Sequence, residues 1–268
     1  MAASAPVDHG RRIDAYRRWA RRFVDDSLLV LTGAILVVLV RELIIIVPTV
    51  MGRTGAIGVD LHLYQGAARS WLNGDGFYHA RQLAGLYQIT GSDTTGGGDI
   101  LYPPVILWLL VPFTVLPELL WWTIPAAAFG WAIWRLHPAR WAWPLLALGA
   151  ALPFNLDVLV RGNPVIWIAA ALAVGCIVTG PAVLVLLKPS LFPFALMGAN
   201  RRRWWIALGL LALAGLPFGF LWIDWIHALL NSDGSLLYSV REVQVLAIPL
   251  LTWAARDGRR VSGSGDLS

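Results

Sequence analysis

Long apolar runs recur along this chain and restrict its fold more than any other feature. The first is Leu28–Met51, and further runs follow as far as Ala255. A run of about 20 apolar residues can cross the hydrocarbon core of a bilayer as a helix. Only 14% of the residues are charged, compared with about a quarter in soluble domains. Because strand-like alternation is absent, the sequence predicts an all-α, polytopic membrane helix bundle.

Arginine clusters beside the apolar runs predict the topology, because Lys and Arg are enriched on the cytoplasmic side of membranes. Residues 1–22 are basic and are expected to form a cytoplasmic tail on the lipid surface. Residues 23–256 then form one integral membrane domain, and residues 257–268 form a second cytoplasmic tail. A re-entrant hairpin over residues 181–199 keeps Arg201–Arg203 inside. The prediction is a multi-pass protein of the cell membrane with a cytoplasmic N-terminus.

The first long hydrophilic segment is predicted to be an external loop, residues 52–118. Within it, the apolar residues of Asp60–Leu72, Tyr64 among them, recur at helical spacing, so this stretch is expected to lie on the membrane surface as a helix. Phe77–Gln88 is a second candidate surface helix. Tyr102-Pro103-Pro104 follows, and these prolines either mark a helix start or hold one wall of an acceptor groove.

Asp60 is the candidate catalytic base of this loop. It lies just after the first apolar run, at the boundary between water and lipid. A carboxylate in that place can accept the proton of a sugar or alcohol hydroxyl. Aspartate is also a preferred N-cap residue and would suit the start of the surface helix. The sequence is compatible with both interpretations.

Two basic residues within apolar runs need anionic partners. Lys188 is the only lysine in the chain, and a lysine at the centre of a membrane helix costs about 2.5–3.5 kcal/mol. Its partner is either a lipid phosphate or a group of the protein, namely an acid or a carbonyl at a helix break. Arg41 is followed by Glu42, but adjacent residues do not face each other on a helix. Arg41 is therefore expected to reach another helix, the outer loop or a lipid phosphate.

The sequence motifs of several enzyme and metal-binding classes are absent from this sequence. There is no G-x-x-x-x-G-K-[ST] phosphate loop, no G-x-S-x-G nucleophile elbow and no Cys/His cluster for a metal. The net charge of +5 is explained by membrane topology, so no nucleic-acid partner is expected. A domain that binds nucleotide sugars would need a sizeable soluble segment. A donor dissolved in the membrane is therefore more natural. No cofactor and no metal-binding residues are predicted.

Four segments, in order, resemble the motifs of family 87 glycosyltransferases. They are VDLHLYQGAARSWLNGDGFY, YPPVILWLLVPFTVLP, RGNPVIWIAAALA and AVLVLLKPSLFPFALMGANRRRW. The similarity runs from about residue 25 to residue 245. Asn163-Pro164 departs from the family pattern, which has a glutamine there. The chain also looks short at its C-terminus for such an enzyme, which predicts a truncated, divergent or inactive member.

The resemblance implies a GT-C-like fold and an enzyme that transfers a hexose, typically mannose, from a polyprenyl-phosphate donor. The acceptor would be a lipid or glycan at the extracytoplasmic face, and Asp60 would be the base. Lys188, with Arg41 or Arg161, is expected to neutralise the departing phosphate. The remaining candidate substrate-binding residues are Tyr64, Tyr102 and Asn163.

Two other classes of protein stay open at this point. The first is a catalytically inactive or non-enzymatic membrane protein that binds lipid-linked glycans. The second is a transporter, which would be expected to have intramembrane acids or an internal repeat. The sequence offers only Glu42 as such an acid, and no repeat is evident.

Overall fold

A computed structural model describes residues 9–54, 57–90, 98–233 and 240–256. Within these ranges the regular structure is entirely helical, which confirms the all-α prediction. The α-helices are α1 (His9–Thr54), α2 (Val59–Asn73), α3 (Ala80–Ala84), α4 (Leu107–Leu110), α5 (Leu119–Leu136), α6 (Ala142–Ala151), α7 (Pro153–Arg161), α8 (Val165–Val178), α9 (Phe192–Ala195), α10 (Arg202–Gly215), α11 (Leu221–Leu230) and α12 (Val243–Ala254). The 3₁₀ segments are Pro104–Ile106, Pro112–Thr114, Gly180–Leu187, Pro189–Leu191, Leu216–Phe218 and Val240–Glu242.

The basic N-terminal segment and the first apolar run form one continuous helix, α1, of 46 residues. The predicted tail, residues 1–22, is therefore helical from His9 onward, and the predicted C-terminal tail lies outside the described residues. Tyr16–Thr49 is long and apolar enough to cross a membrane, and the most apolar stretch of this helix is not buried inside the protein. The larger contacts of α1 are with α6 and α7. Much of its apolar surface therefore remains available to lipid.

Two further helix pairs are apolar enough to cross a membrane as bent spans. α6 and α7 meet at 58°, and α10 and α11 meet at 99°. Proline explains both breaks, because it removes a helical hydrogen bond; Pro153 begins α7, and Pro217 lies between α10 and α11. The described residues thus contain one to three candidate spans, fewer than the sequence predicts.

Residues 181–199, predicted as a re-entrant hairpin, form a series of short helical turns. The 3₁₀ helix Gly180–Leu187 ends at Lys188, whose backbone is extended, and helical turns resume at Pro189. A residue before proline is disfavoured in the helical region, so the break expected at this position is present. The segment packs against α8 and α10, which places Lys188 inside the protein.

The first predicted surface helix is confirmed as a helix, with slightly wider bounds. α2 follows Gly58 and ends at Gly74, both in the left-handed conformation that glycine adopts without strain. Leu61, Tyr64 and Ala68 recur at helical spacing on its buried face. The second predicted helix, Phe77–Gln88, is much shorter than expected, since only α3 is helical.

Candidate functional site

The site lies where the start of α2 crosses the end of α7. The N–H of Gly58 donates to the Val160 carbonyl at 2.9 Å. A Cβ added at Gly162 would lie only 3.2 Å from Leu61 Cβ. Both glycines have positive φ, 76° and 69°. Two glycines therefore allow a close backbone crossing that a residue with a side chain would obstruct.

At this crossing Asp60 contacts side chains from the end of α7. Its Oδ2 accepts a hydrogen bond from Asn163 Nδ2 at 2.7 Å, and its Oδ1 lies 3.9 Å from Arg161 Nη1. The N-cap of α2 is Gly58, with no side-chain cap. The N-cap interpretation of Asp60 is therefore wrong, although a carboxylate in the first helical turn still gains from the positive helix end.

Asn163 holds Asp60 in a defined orientation. Its Oδ1 accepts hydrogen bonds from the Val165 backbone N–H at 3.0 Å and from the Tyr102 hydroxyl at 3.3 Å. A backbone N–H can only donate, so the amide oxygen must face Val165. The amide nitrogen is thereby directed at Asp60.

Tyr102 connects Asn163 to the buried lysine. Lys188 Nζ donates to the Tyr102 hydroxyl at 3.2 Å and lies 4.8 Å from the centroid of the same ring. The Tyr64 ring meets Tyr102 edge-on, with centroids 5.4 Å apart. Tyr64, Tyr102 and Lys188 are all buried. Of the predicted substrate-binding residues, Tyr102 thus holds Lys188 and Asn163 through its hydroxyl, and Tyr64 packs against the Tyr102 ring.

Glu242, which sequence analysis missed, is the ion-pair partner of Lys188. Of the two partners considered for Lys188, a lipid phosphate or a group of the protein, the structure contains the second, a protein acid. Burial raises the pKa of the Glu242 carboxyl above its ordinary value, and the Lys188 ammonium opposes that shift. The sequence could have indicated this pairing, because a lysine within an apolar run needs an acidic partner and the chain has few glutamates. Glu242 lies immediately before the last apolar run and outside the candidate motifs, so it was not among the predicted residues.

The contacts continue from Arg161 towards the protein surface. Arg161 Nε donates to Asp157 Oδ2 at 2.9 Å, one helical turn earlier. Side-chain exposure rises from 3% at Lys188 to 41% at Asp157. We call this connected set the polar cluster. Its members are Asp60, Tyr102, Asp157, Arg161, Asn163, Lys188 and Glu242.

Arg41, the remaining predicted site residue, makes a different contact. Its Nη1 bonds Glu42 Oε1 at 2.6 Å, and its side chain is 69% exposed. The expectation that adjacent residues would not pair is wrong, because the long arginine side chain can bend back to its neighbour. The described contacts do not bring Arg41 to the polar cluster.

An apolar groove of about 490 Å³ lies beside the polar cluster. Its walls come from Pro104–Ile106, α4, α5, α8, Gly180–Leu187 and α10, and its lining side chains are aliphatic, proline or tryptophan. Pro164 and Leu187 line it and directly adjoin Asn163 and Lys188 in sequence. Consecutive Cα atoms are about 3.8 Å apart, so the groove wall and the cluster share the same stretches of backbone.

No family model, curated protein or solved structure matches the chain. Among the described residues, no group of three or more His, Cys, Asp or Glu side chains is placed to hold a metal ion. The arrangement offers three carboxylates, two cations and an apolar groove within one region of the protein.

Proposed function

We propose that the protein is a polytopic, GT-C-like membrane glycosyltransferase related to family 87. It would transfer a hexose, in the first instance mannose, from a polyprenyl-phosphate donor. The acceptor would be a lipid or a glycan at the extracytoplasmic face of the cell membrane. The proposal is carried by one observation, the position of the polar cluster beside a predominantly apolar groove.

The groove supports a lipid-linked donor over a soluble one. An isoprenoid chain in contact with apolar walls gains about 25 cal/mol per Å² of apolar surface removed from water. Ligand sites of this kind are mostly apolar, with a few polar groups that fix orientation. Here the polar groups are those of Asn163 and Lys188, next to lining residues. A lipid tail in the groove would therefore present its phosphate to the cluster.

The reaction we assign to the cluster is a single displacement with inversion at the sugar. Asp60 Oδ1 takes the proton of the acceptor hydroxyl while the acceptor oxygen bonds to the anomeric carbon. The bond from that carbon to the phosphate oxygen breaks, and its electron pair leaves with the phosphate. Lys188 and Arg161 would stabilise the charge that develops there. Asn163 positions the base, and Tyr102, backed by Tyr64, positions Lys188 and Asn163.

A catalytically silent protein that binds lipid-linked glycans is the second candidate. The ion pair between Lys188 and Glu242 favours it, because the buried cation is already neutralised before any phosphate binds. Such a protein would use the same groove and would have no need for Asp60 as a base. The two candidates therefore differ in what an Asp60 variant does to transfer and to binding.

The test measures sugar transfer from mannosyl and glucosyl polyprenyl phosphates by membranes that contain the protein. Asp60→Asn should lower transfer by about 10²–10⁴-fold, the usual contribution of a general base. Asp75→Asn, at the exposed turn after α2, is the matched control and should leave transfer unchanged. Full activity of Asp60→Asn would exclude the mechanism. Wild-type protein that binds the donor but never transfers the sugar would support the silent candidate.

A further inference from the structure

The polar cluster contains more acids than bases. Asp60, Asp157 and Glu242 supply three negative charges when ionised. Arg161 and Lys188 supply two positive charges. A phosphate group would thus enter a site whose net charge is already negative. Buried charge without compensation is costly, so the binding of an anion requires one of these acids to lose its charge.

Among the three acids, Glu242 is the one whose negative charge is most easily lost when an anion binds. Asp157 is 41% exposed, so water reaches its carboxylate. Asp60 accepts a hydrogen bond from Asn163 and lies 3.9 Å from Arg161, so it retains a donor and a cation when a ligand occupies Lys188. Glu242 is only 10% exposed and is paired with Lys188. If a phosphate occupied Lys188, Glu242 would become a buried carboxylate beside another anion.

The other ionisable groups around Glu242 are few. The elements packed most closely on Val240–Glu242 are α12 and the turn Pro189–Leu191. α12 has no ionisable side chain in its sequence, and Lys188 directly precedes the turn. Arg241 adjoins Glu242 on its own segment, and Asp60 acts on it electrostatically from α2. Of the cations among these groups, only Lys188 forms the described ion pair.

We propose that the cluster binds its phosphate-bearing lipid together with one proton, which is carried by Glu242. The phosphate oxygen replaces the Glu242 carboxylate as the ion-pair partner of Lys188, and the carboxylate takes up a proton from solvent. The net charge of the site is then unchanged by binding. The choice of ligand rests on the proposed function, whereas the proton uptake is a separate claim about Glu242.

Binding across pH tests the proposal. The probe is a short-chain polyprenyl phosphoryl mannose, because its phosphodiester stays a monoanion and adds no titration of its own. Titrations use the full chain in nanodiscs over about pH 5 to 9. If one proton binds with the ligand, Kd rises by up to about tenfold per pH unit above the range in which Glu242 titrates. Calorimetry in buffers of different ionisation enthalpy should show net proton uptake by the wild type, without any variant.

Two variants sharpen the result. Glu242→Gln resembles the protonated acid and should bind the probe with an affinity that does not depend on pH. It should exceed the wild type by at least tenfold at the alkaline end of the range. Glu118→Gln makes the same change at a half-exposed glutamate of another segment and should retain the wild-type profile. If Glu242→Gln fails to fold, proton uptake by the wild type still decides the question.

The outcomes separate this inference from the proposed function. Tight wild-type binding that is independent of pH and takes up no proton would overturn the role of Glu242 and leave the lipid site intact. Absence of probe binding at every pH would overturn both. Dimethyl phosphate, which lacks the lipid tail, should not compete at matched concentration. Equal competition by it would show a site for free phosphate and would also overturn the lipid proposal.

Discussion

The protein pairs a basic side chain with a glutamate in two contrasting places. Arg41 and Glu42 are neighbours on α1, with side chains 69% and 23% exposed. Lys188 and Glu242 are far apart in sequence, and their side chains are 3% and 10% exposed. In the first pair, each ion remains partly exposed and can still be solvated from outside the protein. In the second, burial removes most of the hydration, so each ion depends strongly on its partner, although Lys188 also donates to the Tyr102 hydroxyl.

The comparison shows that the environment of an ion pair, more than its chemistry, decides its importance. Exposed pairs contribute about 0–1 kcal/mol, because water and screening compete with the attraction. Removal of one partner from a buried pair is far more damaging, because the other charge stays buried and uncompensated. The two pairs of this chain should therefore differ in their effect on stability and in their response to pH.

Lys188→Met should have the largest effect on stability. It keeps an unbranched side chain of similar length but leaves Glu242 buried without its cation. The expected loss of unfolding free energy is about 3–5 kcal/mol, measured by unfolding in mixed micelles. The double variant Lys188→Met/Glu242→Leu removes both charges and should recover most of this loss. If the double variant were as unstable as the single one, the damage would come from packing and not from the unpaired charge.

The stability of Lys188→Met should also depend on pH. Burial raises the pKa of Glu242, and without the ammonium nothing described opposes that shift. A carboxyl whose folded-state pKa is raised contributes stability below its unfolded pKa, and this contribution is lost as pH rises through the folded value. The deficit of Lys188→Met against wild type should therefore grow with increasing pH. A deficit that is constant over the acidic and neutral range would contradict the assignment.

Gly162→Ala should have the next largest effect, because it alters the crossing that supports the buried cluster. A left-handed residue with a Cβ costs about 1–2 kcal/mol, and the added atom would also press on Leu61. Stability and sugar transfer should both fall. The control is Gly33→Ala on α1, where a Cβ meets nothing within 4 Å. This change should be neutral or mildly stabilising, since alanine favours the helix; equal loss in both variants would break the contrast between the two regions.

Tyr102→Phe should cost about 1 kcal/mol, because the hydroxyl joins Lys188 to Asn163 within the interior. The ring remains, so its edge-on contact with Tyr64 is kept. The expected result is a modest loss of stability with a larger loss of donor binding. Tyr16→Phe, on the exposed surface of α1, should change neither quantity.

Much of the site could be predicted because its residues stand beside local breaks in the helices. Asp60 follows Gly58, Asn163 lies between Gly162 and a proline, and Lys188 precedes Pro189. Glycine and proline announce such breaks in the sequence, and polar residues there can point inward at a shared site. These features do not depend on knowing how distant helices pack.

Two parts of the structure could not be predicted in this way. The pairing of Lys188 with Glu242 depends on how α12 packs against α8, and no local pattern records that contact. The apolar runs were identified from hydropathy, which does not measure the direction of a helix. The 99° bend between α10 and α11 arises at a proline within a run that stays apolar throughout. Composition therefore predicted the helical class, whereas the paths of the helices required the structure.

Arg41→Gln should have the smallest effect, about 0–1 kcal/mol, if water reaches the pair with Glu42. Arg41 lies 18 residues beyond Phe23, where the predicted membrane domain begins, which at 1.5 Å per residue is about 27 Å along α1. That distance is close to a hydrocarbon thickness of about 30 Å, so a span that starts at Phe23 would place the pair at the far edge of the core, beside the headgroups. The measurement is a double-mutant cycle of Arg41→Gln and Glu42→Gln, with unfolding followed in mixed micelles. A coupling above about 2 kcal/mol would instead place the pair in hydrocarbon, where it would resemble Lys188 and Glu242 and the contrast between the two pairs would disappear.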